Sequence, residues 1–191
     1  MQYIDHYQSP MGGILLAADD VGLTGLWFEG QKYYAYKLDP KHKEKALPVF
    51  EQAKDWLDIY FSGREATFTP TLHMMGTNFQ ISVWEILQDI PYGKTMTYGE
   101  IAQRIAKQNG LQRMSAQAIG GAVGHNEISL IIPCHRVVGS NGSLIGHNEI
   151  SLIIPCHRVV GSNGSLTGYA GGIDKKKKLL SLEQANTNYS L

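Results

Sequence analysis

The sequence predicts an α+β protein, with a small α/β domain over residues 1–75 and a helical domain built on a helix-turn-helix over residues 76–191. Three observations carry that expectation. An apolar run broken by an acidic turn at Asp19-Asp20 has the layout of a β-hairpin, and a stripe at helical spacing follows it from Val49. Beyond Gly76 come three helix-start signals, at Thr77, Thr97 and Ser115. Between the halves, Phe68 to Gly76 shows neither period and reads as a linker.

The hairpin comprises Gly13 to Ala17, a turn at Asp19-Asp20-Val21-Gly22, and Leu23 to Phe28. Residues 31–46 are charged and tyrosine-rich and carry no period. From Val49 to Phe61, the residues Phe50, Ala53, Trp56, Leu57, Tyr60 and Phe61 follow helical spacing, and Gly63 supplies a stop. In the second half, Thr77-Asn78-Phe79-Gln80 has the form of a capping box. Its hydroxyl and amide satisfy backbone N–H groups that a helix start leaves without partners. The stripe Phe79, Val83, Trp84, Leu87 follows, and Ile90-Pro91-Tyr92-Gly93 breaks the chain. Thr97-Tyr98-Gly99-Glu100 opens a second helix to Lys107, Asn109-Gly110 turns, and Ser115 caps a third helix to Val123. Helix, short turn, helix is the helix-turn-helix layout. The third helix holds the adjacent glycines Gly120 and Gly121, which cost it about 2 kcal/mol relative to alanine. Either a bulky group approaches this backbone from outside or another helix packs tightly on it, and sequence weighs the two equally. Further on, Ile150 to Ile154 reads as a strand, Gly161-Ser162-Asn163-Gly164 as a turn, and Asp174 to Glu183 as a final helix.

With 191 residues, 43% of them hydrophobic, the chain can fill one or two modest cores. No apolar run reaches the roughly 18 residues of a membrane span, and Met-Gln-Tyr-Ile-Asp-His lacks the layout of a signal peptide. A soluble, cytoplasmic protein is the expectation. The formal net charge is zero but unevenly spread. Residues 1–75 hold 7 Lys+Arg against 10 Asp+Glu, and residues 76–191 hold 10 against 7. A basic second half suits phosphate contact, although the run Lys175 to Lys178 alone reads better as a solvated helix start.

Residues 124–145 and 146–167 are copies of one another, differing only at Ile145 and Thr167. Solenoids have periods of this order but need at least about three repeats, so the surplus copy reads as an insertion into a working fold. Each copy contains one of the two cysteines, in Pro-Cys-His-Arg at 133–136 and again at 155–158. A free thiol has a pKa near about 8.5 and needs a base to become a nucleophile at neutral pH. The neighbouring histidine, held by a carboxylate, is such a base. Cys-His alone is a weak signal, and a buried inert cysteine is the commoner explanation of it.

Taken together, the ordered motifs resemble the O6-alkylguanine-DNA alkyltransferases, the methylated-DNA–protein-cysteine methyltransferase family. The resemblance is strong over residues 70–185 and loose before them. It is carried by Gly76-Thr77, Phe79-Gln80, Val83-Trp84, Ile90-Pro91-Tyr92-Gly93-Lys94-Thr95, Thr97-Tyr98-Gly99-Glu100-Ile101-Ala102, Ala118-Ile119-Gly120-Gly121-Ala122, Asn126, Ile132 to Val138, and Thr167 to Gly172. It implies a ribonuclease H-like first domain and a winged helix-turn-helix second domain. It also implies a partner, double-stranded DNA bearing an alkylated guanine that is flipped out of the stack. In such proteins a cysteine takes the alkyl group in a single turnover, without cofactor or metal. By motif position the resemblance gives Cys134 as acceptor, His135 and Glu183 as its relay, and Tyr98 as the residue that aids flipping and protonates the leaving base. Gln117, Ala118, Gly121 and Arg136 fall at DNA or substrate contacts, Asn126 at the hinge after the recognition helix, and Tyr169 in the loop that closes the pocket.

The chain also departs from the pattern. Gln117 stands where many members carry an intercalating arginine, and Glu127 follows Asn126 where proline is common. The first half has no cysteines, so a structural zinc site of some relatives has no counterpart. The repeat supplies an alternative set, Cys156, His157 and Asn148. Placing the surplus after the turn at 139–144 favours Cys134, whereas the native link onward to Tyr169 and Glu183 favours Cys156. A monomer is expected, with exchange of one copy between two molecules as a third arrangement. The rival readings are a DNA-binding protein that has lost transfer, a metal site of Cys134, His135, Cys156 and His157, and a dithiol redox pair. The retained cysteine opposes the first, and adjacent Cys and His seldom share one tetrahedral ion. The shared strand context of both cysteines opposes the last.

Overall fold

The computed structural model describes residues 1–30, 34–94, 96–133, 137–138 and 182–183. The expected strand at 150–154, the turn at 161–164, and all of the final helix except Leu182 and Glu183 lie outside these residues. The chain is α+β and divides into two compact units. The first comprises Met1–Met75 with Glu127–Ile131, and the second comprises Gly76–Asn126 with the described residues from Ile132 onward.

The first unit is a four-stranded sheet and a helix. Its strands are β1 (Tyr3–Ser9), β2 (Gly12–Ala18), β3 (Leu23–Phe28) and β4 (Lys43–Glu44), in the order β3-β2-β1-β4. The expected hairpin is β2 and β3, closed where Asp19 accepts the backbone N–H groups of Val21 and Gly22. The Asp19 carboxyl also bonds the His73 ring at 2.7 Å. Burial pushes its pKa up, but these hydrogen bonds outweigh burial and hold it below the ordinary value.

Sequence periodicity did not reveal β1, because Asp5, His6 and Gln8 interrupt its apolar positions. It is a strand because its backbone pairs with β2 along its whole length, from Tyr3↔Ala18 to Ser9↔Gly12. Ile14 to Ala18 are all buried rather than alternating because both faces of the sheet are covered there. Helix α1 (Pro48–Phe61) is tied to one face of β1 by Tyr7 Oη donating to Asp58 at 2.7 Å and by Lys54–Asp5 at 2.7 Å. On the opposite face, Leu15, Ala17 and Trp27 form a buried cluster with Ile4, Ala35 and Leu38 packed against it.

The outer edge of β3 is covered by two segments from far along the chain. Leu23 donates to the Thr71 carbonyl and accepts from His73 N–H, at 2.8 Å each. The stretch expected to be a linker is therefore partly an edge partner, and burial of Leu23 between backbone groups is the reason. Leu26 donates to Glu127 at 2.9 Å and accepts from Ser129 at 3.2 Å, which docks Glu127–Ile131 on the same edge.

Gly25 is dictated by this arrangement. A Cβ built there would overlap the indole of Trp27, two residues on and on the same face of the strand. Gly25→Ala is expected to destabilise the protein by about 1–3 kcal/mol, since the indole must leave its rotamer or the strand must shift. Urea unfolding checks this, and a variant as stable as the native chain would show that the indole has another place to go.

The second unit is helical. Helix α2 (Asn78–Gln88) and helix α3 (Tyr98–Gln108) both begin with complete capping boxes, Thr77 with Gln80 and Thr97 with Glu100. Helix α3 ends at Asn109 with Gly110 in the left-handed region at φ 65°, Gly110 N–H bonding Lys107 and Leu111 N–H bonding Ala106. This is a Schellman stop, the physical form of the expected Asn-Gly turn. Ser115 then caps α4 (Ala116–Gly124), accepting from Gln117 N–H at 3.2 Å. The three helices pack on one another, burying Val83, Leu87, Ile101, Ile105, Ile119 and Val123. A short parallel pair, β5 (Met96–Thr97) and β6 (Val137–Val138), sits ahead of α3. Among the described residues, no helix is long and apolar enough to cross a membrane.

Candidate functional site

The candidate site is built on α3, α4 and the chain that leaves α4. Helix α4 buries Ile119, Ala122 and Val123 and exposes Gln117, Ala118, Gly121 and His125, one turn apart on the opposite face. The described residues bear on the glycine question left open by the sequence. Among the described residues, a Cβ on Gly121 would meet nothing within 4 Å, and one on Gly120 would only touch the Tyr98 ring at 4.0 Å. Packing within the described protein therefore does not require the glycines. Their effect is to leave the outer backbone of α4 bare, as close approach by an external partner requires.

Tyr98 is the first residue of α3 and is half-buried, with its ring against the middle of α4. It is positioned by the capping box of α3. Glu100 accepts from both the backbone N–H and the hydroxyl of Thr97 at 2.7 Å. Those bonds, the backbone one foremost, hold the Glu100 carboxyl below its ordinary pKa, so the cap keeps its charge at neutral pH.

The C-terminal end of α4 is fixed by two residues. Trp84 of α2 donates its indole N–H to the Ala122 carbonyl at 2.8 Å, beside the His125 N–H that bonds the same carbonyl at 3.3 Å in the last turn of the helix. Gly76 makes room for that indole, since a Cβ there would lie 2.7 Å from the ring. Asn126 is fully buried, and its amide donates to the Ile132 carbonyl at 3.1 Å. The bond spans the excursion of Glu127–Ile131 and brings the chain back beside the point where it left α4.

Ile132 and Pro133 are described, and so are Val137 and Val138, which pair with Met96 and Thr97 as β6 with β5. Cys134, His135 and Arg136 between them lie outside the described residues, as do Asn148, Cys156, His157 and Tyr169. Glu183 is described and buried at 1% exposure. It sits against the turn Pro91–Lys94, which is closed by Lys94 N–H bonding Pro91 at 3.0 Å. Gly93 occupies the left-handed region there at φ 69°, and a Cβ on it would stand 3.4 Å from the Glu183 carbonyl. Tyr92 Oη donates to the Leu182 carbonyl at 3.4 Å. The sequence motif Pro91-Tyr92-Gly93 thus seats the residues at 182–183. Sequence reasoning named Trp84 and Gly76 as motif members without a role, and their mutual fit supplies one.

The first half of the chain, residues 3–73, matches the model of the 6-O-methylguanine DNA methyltransferase ribonuclease-like domain. The DNA-binding domain model of the same family matches residues 78–148 and again residues 142–185, so each match takes in one copy of the repeat. A methylated-DNA–protein-cysteine methyltransferase of Methanosarcina barkeri is 40% identical over 185 residues, covering 96% of this chain and 98% of that protein. One from Haemophilus influenzae is 36% identical over 184 residues, covering 95% and 86%. Among solved structures, Mycobacterium tuberculosis O6-methylguanine methyltransferase is similar with a TM-score of 0.69 at 35% identity, covering 100% of this chain and 97% of that one. The M. tuberculosis enzyme in complex with DNA gives a TM-score of 0.68 at 35% identity, covering 96% and 93%.

Proposed function

The chain belongs to the 6-O-methylguanine DNA methyltransferase family, and on that premise we propose that it repairs DNA by moving an alkyl group from O6-alkylguanine, and from O4-alkylthymine, onto its own Cys134. Double-stranded DNA is the partner, and the reaction needs no cofactor. The observation that carries the reading is the Asn126–Ile132 closure. It starts the run into Cys134 at the very end of the helix whose bare face carries Gln117, Ala118 and Gly121. In this reading a nucleotide flipped out beside α4 meets the start of the run that leads to Cys134.

In this reading, Gln117 fills the gap left by the flipped base through its amide, without the charge of an arginine. Arg136 and Tyr169 contact the substrate, and Tyr98, whose ring lies on α4, helps displace the nucleotide. His135 takes the thiol proton, and Glu183, already buried and seated by the Pro91–Lys94 turn, steadies the resulting imidazolium. The thiolate sulfur attacks the alkyl carbon, the carbon–oxygen bond breaks, and the base leaves as guanine with a proton from the Tyr98 hydroxyl, which water restores as the imidazolium releases its own proton to solvent. The product is a stable thioether, so each chain acts once, as a monomer.

Intact mass after reaction with free O6-benzylguanine tests this. One benzyl group per chain is expected, even with substrate in large excess. Continued turnover would overturn single use. Unchanged mass together with retained binding to alkylated duplex would leave a DNA-binding protein that has lost transfer.

A further inference from the structure

The family resemblance marks position 127 as a departure, because glutamate follows the hinge asparagine where proline is common. In the structure this carboxylate is not a surface substitution. Glu127 is 5% exposed, accepts the indole N–H of Trp27 at 3.0 Å through Oε2, and faces Lys37 Nζ at 3.6 Å through Oε1. Its carbonyl accepts from Leu26 N–H, and Ser129 N–H returns the bond to Leu26.

Trp27 itself is 1% exposed and is held flat by the missing side chain at Gly25. The same turn that supplies Lys37 contributes Ala35 and Leu38 to the packing around that indole. A buried carboxylate is tolerated only with such partners, since stranding it without them is strongly unfavourable. The segment it anchors also contains Leu130, buried yet in the left-handed region at φ 65°, a conformation that persists only where the surroundings enforce it.

We propose that Glu127 is a positioning residue for alkyl transfer, and that the clasp Trp27–Glu127–Lys37 locks the segment between the hinge and the acceptor in its strained form so that the thiol is delivered in register. A proline at this position would stiffen the chain by fixing its own φ. Here Trp27 does that work, through a hydrogen bond spanning one hundred residues of sequence. The inference rests on the functional reading above, with Cys134 seven residues beyond Glu127 as the acceptor.

The test uses the full chain and free O6-benzylguanine, which needs no DNA contact. Glu127→Leu and Trp27→Phe are expected to lower the second-order alkylation rate about tenfold or more, because sub-ångström misplacement of a reacting atom is felt directly in rate. Duplex affinity should stay within about twofold, since α4 is untouched. Glu127→Gln, which keeps an acceptor for the indole, should restore most of the rate. Lys54→Met, which removes the ion pairs to Asp5 and Glu51 elsewhere in the same unit, serves as a control for general destabilisation.

Alkylation by Trp27→Phe at the native rate would overturn the proposal, as would a loss in Lys54→Met matching that of the clasp variants. If Glu127→Leu fails to fold, Trp27→Phe decides alone. A native chain that is never alkylated sinks the functional reading and this inference with it. A native chain alkylated normally beside unaffected clasp variants sinks this inference alone.

Discussion

Cys134→Ser is expected to abolish alkyl transfer, whereas Cys156→Ser should leave most of it. This is the largest effect expected of any single substitution, because it removes the nucleophile and nothing else. The two cysteines share almost identical sequence surroundings, so chemistry alone does not separate them. Connection does. The run from α4 passes through Asn126, docks Glu127–Ile131 on β3, returns at Ile132, and continues at Val137–Val138 alongside Met96–Thr97. Among the described residues these anchors belong to the first copy, and the second copy lies outside the described residues.

A thiol offered by the second copy must reach the same place through a longer and different connection, and about 1 Å of misplacement can cost around a hundredfold in rate. Deleting residues 146–167 should therefore keep or raise activity, since it restores a direct path to Tyr169 and Glu183. Mass spectrometry of the three variants after benzylguanine treatment checks this. A dead Cys156→Ser variant would transfer the roles to Cys156, His157 and Asn148. About half activity in each single variant would mean that the copies exchange in the site, within one chain or between two.

Glu183→Ala is expected to slow transfer on the order of a hundredfold at neutral pH, the usual worth of an assisted proton transfer. The pH dependence makes this specific. If Glu183 works by steadying the histidine that deprotonates the thiol, the deficit should shrink as pH rises through about 8.5, where the thiolate forms unaided. A deficit of equal size from pH 6 to pH 9 would mean that the carboxyl is structural, holding the Pro91–Lys94 turn rather than the relay. Tyr92→Phe offers a comparison, because it removes the bond to the Leu182 carbonyl while leaving the carboxyl in place. Its loss of rate should be smaller and independent of pH.

The features legible in the sequence are those whose cause is local. Thr77 with Gln80 and Thr97 with Glu100 cap helices because the partners are three residues apart, and both boxes form as read. Asn109-Gly110 stops α3 because only a residue tolerant of positive φ can make the Schellman turn. The hairpin of β2 and β3 follows from an apolar run and an acidic turn. The order of motifs from Gly76 onward was enough to identify the family, and with it the class of reaction.

Other features have partners too distant for any local pattern to announce. The strand β1 is polar enough to hide and exists because β2 pairs with it. The supposed linker at 68–76 lends Thr71 and His73 to the edge of β3 because Leu23 exposes backbone groups there once the sheet has formed. Glu127 read as a mere departure from proline, and Gly25 as one glycine among many. Only folding brings Trp27 over the one and against the other, burying an indole N–H that must find an acceptor. Spacing along the chain thus determined which helices start and stop and which chemistry the protein carries. Burial in three dimensions decided which distant groups hold Glu127, because a buried polar atom takes its partner from whatever the fold places beside it.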